Sequence, residues 1–569
     1  MSGRSQRRSS SRNVRLALVV LLSGLFIVIC ACVAIFAAIG NLIDGAVGEE
    51  TAMPEPESAL VVAYSPEKEP LFTALVDAFN AQGLENPEGE ALTVKAIGLD
   101  PEAMLSDVLD GSASFQAMTP DSTVWLGQLD QEWSEQAGPD ATAVGETVRY
   151  AISPVVIATW ESVAQELGWP ESPIGWQDLL GRAQSDPDFR WSHPSTSSAS
   201  GLLATLAEFY AGAGKTRGLT IEDVTDQETL DYVAALEKTV RFYGEGDEPA
   251  LIEQALLEGR DFLDAFVVQE QMVVNYNQRR QGQEALVAIY PVEGTLWEDH
   301  PLALLETGDL TSLHRQTFAE FGDYLLSPQA QQAVLQFGYR PADLGTPLDS
   351  AESPLTAENG VDANQPETTL QVPNASVIKV VRDVWWYTKR HTNVYLVVDT
   401  SGSMEGQKLE QAQAALRSFL DQIKGDIERV GLIEFATYVY PTVDLGEMGA
   451  NRVALENAVD RMEASGDTAL LDGVYEAYLR LQKLGDTERI NAIVVMTDGQ
   501  ENNSDTSLSR LVSDLERNYP IQVVVFCVAY GDDADMDTLR WIAEPTGGQV
   551  REGDPETILD LYRVLSTYF

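Results

Sequence analysis

Between Leu16 and Ile39 the chain runs for 24 residues without a charge, and a helix needs about 20 apolar residues to cross a hydrocarbon core. This feature constrains the fold most, because it divides the chain between two compartments before any domain is considered. Arg4, Arg7, Arg8, Arg12 and Arg15 precede the run, and the first acid, Asp44, follows it. By the positive-inside rule a basic tail at 1–15 is expected in the cytoplasm, a transmembrane helix at 16–39, and everything later outside a cell membrane crossed once. A cleaved signal is the rival, although its apolar region usually runs to only about 7–15 residues. Cys30 and Cys32 read either as inert side chains of a lipid-facing helix or as part of a loose lipobox with lipidation at Cys32.

Beyond the run, the other 32 of the 37 basic residues face 88 acids, a net of −56. Such a surface repels phosphate backbones, so nucleic acid is not expected as a partner. Hydrophobic content of 44% with 22% charged residues is that of folded domains, so the acidity decorates surfaces and does not signal disorder. A length of 569 residues implies several domains at about 100–200 residues each. Three cysteines and four histidines supply neither a disulfide framework nor a Cys-rich zinc site. Residues 40–58, with Pro54, Pro56 and several Glu, read as a solvated stalk.

From Ala59 the pattern changes. Leu60–Tyr64 is a short apolar run, Ser65-Pro66 a turn, and Leu71, Phe72, Leu75, Val76 and Phe79 recur on one helical face. Further runs at 91–97 and 155–159, with a helix near 104–109, continue an α/β alternation. The order of these elements, with Ser153–Ala158, Ile174–Leu179, Tyr290–Thr295 and Gly338–Pro341, resembles the two-lobed type II periplasmic-binding-protein-like domain of bacterial solute-binding proteins, over 59–345. The resemblance implies a small-molecule ligand held between lobes, where strand ends and helix N-termini converge. Ser195–Ser200 precedes the apolar stretch Leu202–Tyr210 and supports two readings, plain N-capping or a ligand site that includes Ser198 and Ser200. Ser65, Thr119 and Asp264 are further candidates by position. No basic residue is expected beside them. Gly212–Thr216 lacks the first glycine of a phosphate loop, so nucleotide binding is set aside.

Residues 346–390 read as a connector that ends in an amphipathic stretch through Ile378, Val381 and Trp385. Beyond it, Val394–Val398 is an uninterrupted apolar strand that ends in Asp399-Thr400-Ser401-Gly402-Ser403, and a second, Ile493–Met496, ends in Thr497-Asp498-Gly499. Hard divalent cations take carboxylate and hydroxyl oxygens, and Asp399, Ser401, Ser403, Thr468 and Asp498 supply that set. The alternation in 399–403 lets one turn aim three oxygens at a point. Metal-free, the same residues would be a turn with capping hydroxyls.

These five positions, in this order, resemble the metal-ion-dependent adhesion site (MIDAS) of von Willebrand factor A (VWA) domains, and 391–569 is similar to that doubly wound, Rossmann-like family. The resemblance implies Mg²⁺, or Mn²⁺ or Ca²⁺, bound directly by the two serines and the threonine, with the aspartates acting directly or through water. It implies a sixth position open to a carboxylate of a protein partner. The whole chain is expected to be a membrane-anchored extracytoplasmic receptor or adhesion protein, and not an enzyme. Rivals are the substrate-binding component of an ABC-type uptake system and a VWA accessory that docks to an ATPase.

Overall fold

The computed structural model describes residues 59–553 except 140, 245–247, 308–309, 424 and 532–533. The uncharged run, the acidic stretch after it and a closing helix expected near 556–565 lie outside the described residues. Among those described, no helix is long and apolar enough to cross a membrane.

The chain builds β1 (Leu60–Tyr64), α1 (Glu69–Asn80), β2 (Val94–Gly98), α2 (Pro101–Asp110), β3 (Ala117–Thr119), α3 (Thr123–Ala137) and β4 (Val144–Arg149). It crosses at Tyr150 into β5 (Ala151–Trp160), β6 (Trp191–Pro194), α4 (Ala199–Ala213), α5 (Gln227–Glu237), β7 (Tyr243–Gly244), α6 (Glu248–Glu258), β8 (Ala265–Gln269), β9 (Leu286–Ile289) and β10 (Trp297–Glu298). It then returns at Asp299-His300 to β11 (Pro301–Leu305), and β12 (Arg340–Pro341) closes the region. The first lobe is a five-stranded sheet of order β2-β1-β3-β11-β4; the second follows β10-β5-β8-β6-β7, with β9 and β12 also paired to β5. α1 forms because its apolar residues recur at helical spacing, and Leu71, Phe72, Leu75, Val76 and Phe79 are all buried against the first sheet. His300, at the return crossing, has φ +32°, a left-handed conformation that costs a non-glycine residue energy and recurs at functional sites.

α7 (Ala375–Thr388) leads into a six-stranded sheet of order β15-β14-β13-β16-β17-β18. Its strands are β13 (Thr392–Asp399), β14 (Arg429–Phe435), β15 (Val439–Glu447), β16 (Ile490–Thr497), β17 (Val523–Tyr530) and β18 (Val550–Gly553). All neighbours are parallel except β14 and β15. β13 is buried along its whole length, because Val394, Leu396 and Val398 enter one apolar cluster and Tyr395 and Val397 another, on opposite faces. α8 (Gln407–Gln422) buries Leu409, Ala412, Leu416, Phe419 and Leu420 on one face, and α9 (Leu470–Leu484) buries Leu470, Leu471, Val474 and Leu481 on the other.

The connector is not a free tether. Arg382 of α7 donates to Gln128 of α3 (2.6 Å) and Glu102 of α2 (2.9 Å) on the first lobe. Trp385 donates its indole N–H to Glu237 of α5 (2.6 Å) on the second. Lys389 and His391 then reach Glu428 (3.3 and 3.0 Å), whose other oxygen accepts the Thr392 amide at 2.6 Å where β13 begins. Burial would raise the Glu428 carboxyl, but Lys389, His391 and Thr392 outweigh it and hold the group down at about 2.

Candidate functional site

β13 and β16 are adjacent and parallel, with Val398 opposite Met496, so Asp399 and Asp498 emerge side by side at one sheet edge. Both are 0% exposed. Asp399 accepts from the Ser401 amide (2.8 Å) and the Thr497 hydroxyl (2.5 Å). The Ser401 and Ser403 hydroxyls are 3.0 Å apart, and Ser403 donates to Asp498 at 2.6 Å. Burial raises the Asp399 carboxyl and the neighbouring Asp498 charge adds to this, against the hydrogen bonds from Thr497 and Ser401. The Thr468 amide donates to Asn502 at 2.9 Å, which fixes the threonine loop beside the end of β16. A Cβ at Gly499 would lie 3.4 Å from the Ser403 hydroxyl and 3.5 Å from that of Thr468, which places the end of β16 beside both hydroxyls. The five expected residues therefore converge, and their all-oxygen donor set fits a hard divalent cation.

Gly466 holds the loop in place: its φ is +85°, a Cβ there would lie 2.2 Å from the Thr437 hydroxyl, and its carbonyl accepts the Gly402 amide at 3.0 Å. One group had no sequence signal. Lys408, in the first turn of α8, donates to Asp498 at 2.5 Å from a position 90 residues away. Repulsion between the two aspartates is thus partly relieved by an internal cation.

In the two-lobed region the outcome is mixed. Ser198 is the N-cap of α4, its hydroxyl accepting the Gly201 amide at 3.1 Å, which is the capping alternative. Ser200 is turned elsewhere, its hydroxyl touching both Glu248 and Glu298. Ser65 donates to Glu67 at 2.8 Å, and Thr119 lies 3.1 Å from the Tyr150 hydroxyl; both are fully buried where the lobes meet. Asp264 corrects an expectation. It precedes β8 at the end away from Gln269, accepting the Arg190 amide (2.9 Å) and the Arg260 guanidinium (3.2 Å), so it anchors a loop and does not face the other candidates. The absence of a basic neighbour is corrected too, since Lys68 is buried beside Thr119 and donates to its carbonyl at 3.0 Å. His193 has Glu237 at 3.3 Å and Glu208 at 3.9 Å. All three are sealed from solvent, with Glu237 held by Tyr243 and Trp385.

A cavity of about 670 Å³ separates α2 and α3 of the first lobe from Ser195, Thr196 and Ser197 of the second. One wall is α7, through Lys379, Arg382 and Trp386.

Residues 60–340 match the family model for bacterial extracellular solute-binding proteins, and 393–559 match that for the von Willebrand factor type A domain. An uncharacterized protein of Synechocystis sp. is 28% identical over 174 residues, 30% of this chain and 40% of that protein. Inter-alpha-trypsin inhibitor heavy chain H2 of Sus scrofa is 25% identical over 187 residues, 31% of this chain and 20% of its own. The chain therefore spans less than half the length of these curated relatives. Among solved structures, the sulfate-binding protein SubI from Mycobacterium tuberculosis H37Rv has 19% identity and a TM-score of 0.36, covering 50% of this chain and 88% of that one. A von Willebrand factor type A structure from Catenulispora acidiphila has 22% identity and a TM-score of 0.29, covering 32% and 43%. The chain thus carries a bacterial extracellular solute-binding domain at 60–340 and a von Willebrand factor type A domain at 393–559.

Proposed function

We propose that this protein is a membrane-anchored extracytoplasmic receptor that binds a small solute between its two lobes and captures an acidic protein partner through a divalent cation on its VWA domain. The observation that carries this reading is the linked oxygen cluster Ser401–Ser403–Asp498 beside Asp399, at the ends of two neighbouring parallel strands. Ser401, Ser403 and Thr468 would hold Mg²⁺, with Asp399 and Asp498 acting directly or through water. The cation supplies a Lewis-acidic coordination position for a partner carboxylate. The protein's own part is to hold its oxygens in place: Ser401 is positioned by the backbone of its turn, Thr468 by Asn502, and Ser403 is the exposed member at the rim. No catalytic role is proposed.

The uncharged segment with its arginine flank supports outward placement. The solute-binding match also supports a second reading, the binding component of an ABC-type uptake system. Calorimetric titration with Mg²⁺, alongside partner capture in chelator, tests the first. Asp399→Ala is expected to abolish Mg²⁺ binding and Mg²⁺-dependent capture while circular dichroism stays unchanged, because both sheet faces bury their apolar clusters without the ion. Capture that survives both chelator and the substitution would refute it.

A further inference from the structure

Where the lobes meet, four buried carboxyl groups from separate segments lie near one another. Glu67 and Asp121 come from the first lobe, Glu248 from the N-terminus of α6, and Glu298 from the strand before the crossing; each is at most 8% exposed. Their neighbours are Lys68, His300 and the Asp299–Arg149 ion pair. The Ser200 hydroxyl touches Glu248 and Glu298. It has one hydrogen, so it donates to one carboxyl and must accept from the other, and one of the two acids is protonated in this closed arrangement. Burial pushes all four carboxyls up: Asp121 to about 7, Glu248 to about 8, Glu298 well above the carboxylate range.

Ser65 donates to Glu67, Trp125 to Asp121 and the Gln269 amide to Glu248, yet other polar atoms of the cluster go without a partner. The Oε2 atoms of Glu248 and Glu298 and the Nδ1 of His300 have no hydrogen-bond partner. The other His300 nitrogen, Nε2, lies 2.9 Å from the Gln269 side-chain oxygen and therefore carries the hydrogen of a neutral ring. Its Nδ1 lone pair then faces Glu67 across 3.8 Å. Lys68 directs its ammonium to the carbonyls of Thr119 and Pro120, at 3.0 and 2.7 Å. Buried acceptors without donors are costly, and a ligand that brings N–H groups and positive charge removes that cost.

We propose that the interlobe cleft takes a small organic cation with N–H donors, an amine or a guanidine, its charged end lying among Glu67, Glu248 and Glu298. The inference rests on the solute-binding reading and deepens it. A bare metal ion fits less well, because among the described residues the one group of three such ligands within 4.8 Å is His193–Glu208–Glu237, not the cleft acids. An anion would meet the excess of carboxyls.

The test is calorimetric titration and thermal melting of the full chain carrying Asp399→Ala, which silences the VWA metal site. The probes are putrescine, arginine, choline (cationic without N–H), sulfate and Ca²⁺. Putrescine or arginine is expected to bind and raise the melting temperature, and the other three are not. Glu248→Gln and Glu298→Gln should each weaken that binding by about tenfold or more, the worth of a hydrogen bond to a charged group, and should leave the ligand-free melt equal or higher. Binding of sulfate or Ca²⁺ in the cleft, or an equal response to choline, would overturn the cationic N–H class while leaving solute binding intact. Unchanged amine affinity in both variants would also overturn it, as would no response to any probe. In that last case, mass spectrometry of small molecules retained by the purified chain shows separately whether the lobes bind a solute at all.

Discussion

The VWA metal site and the interlobe cleft both bury carboxylates at the ends of strands, yet they treat the charge in different ways. At the metal site the oxygens of Asp399 and Asp498 have donors: a backbone amide, three side-chain groups, and among these Lys408. In the cleft two carboxylate oxygens and an imidazole nitrogen have none, and one lysine stands among four acids. A site whose ligands are already satisfied stays folded while its ion exchanges. A site with surplus acceptors depends for its stability on protons or on a ligand.

The lysines offer the sharpest way to break this contrast. Lys68 is 1% exposed, whereas the Lys408 side chain is 32% exposed. Lys68→Met should cost about 3–5 kcal/mol by urea unfolding, as removal of one partner from a buried charge cluster does. Lys408→Met should cost less, about 1–3 kcal/mol, because it takes one donor from the buried Asp498, and should tighten Mg²⁺ by freeing that carboxylate. Equal costs would mean that the two environments do not differ as described.

A smaller effect is expected from Gly466→Ala, which forces a left-handed residue against Thr437. Destabilisation of about 1–3 kcal/mol, with weaker Mg²⁺ binding and an unchanged cleft response to amines, would show that the sites are separately built. Loss of amine binding in this variant would show the opposite.

The gentlest probe is pH. Raised carboxyls such as Asp121 and Glu248 keep protons in the folded chain that the unfolded chain releases near pH 4. Ligand-free stability should therefore fall as pH rises from about 4 through the values near 7 and 8. Glu428 acts in the opposite sense: its depressed carboxyl stabilises above the ordinary value, and that stability is lost as pH falls toward about 2. Melting temperatures across this range should peak near pH 4–5, and a bound amine should flatten the alkaline limb. A melting temperature that rises between pH 5 and 8 would contradict the protonated cleft.

The same contrast explains what the residues alone could reveal. Leu60–Tyr64 was legible as β1 to the residue, and the VWA metal ligands were legible because a strand end followed by D-x-S-x-S is a local pattern. Lys408 was not, since its partner is 90 residues away and a lysine early in a helix carries no mark of its role. The four cleft acids come from four separate segments of chain with no shared spacing, and Glu298 and His300 sit in the unremarkable stretch Trp297–His300. Asp264 was misassigned because an apolar run identifies a strand without saying which end faces the cleft. Ser198 and Ser200 adjoin one helix start, but only tertiary contacts separate a cap from a bridge between two acids.

The helix α7 carries a practical consequence for handling this molecule. Its residues Val377, Ile378, Val381 and Trp385 belong to one apolar cluster that also contains Trp160 and Leu203 of the second lobe and Val394 and Leu396 of β13. Two family models divide the sequence into modules, but the hydrophobic core does not stop at their boundary. Expressing the solute-binding half with a stop near 345 would uncover that surface and take from Glu237 its indole donor. Calorimetry of the intact protein should accordingly give one endotherm for both halves, and a useful truncation has to keep the chain through α7 or replace what α7 covers.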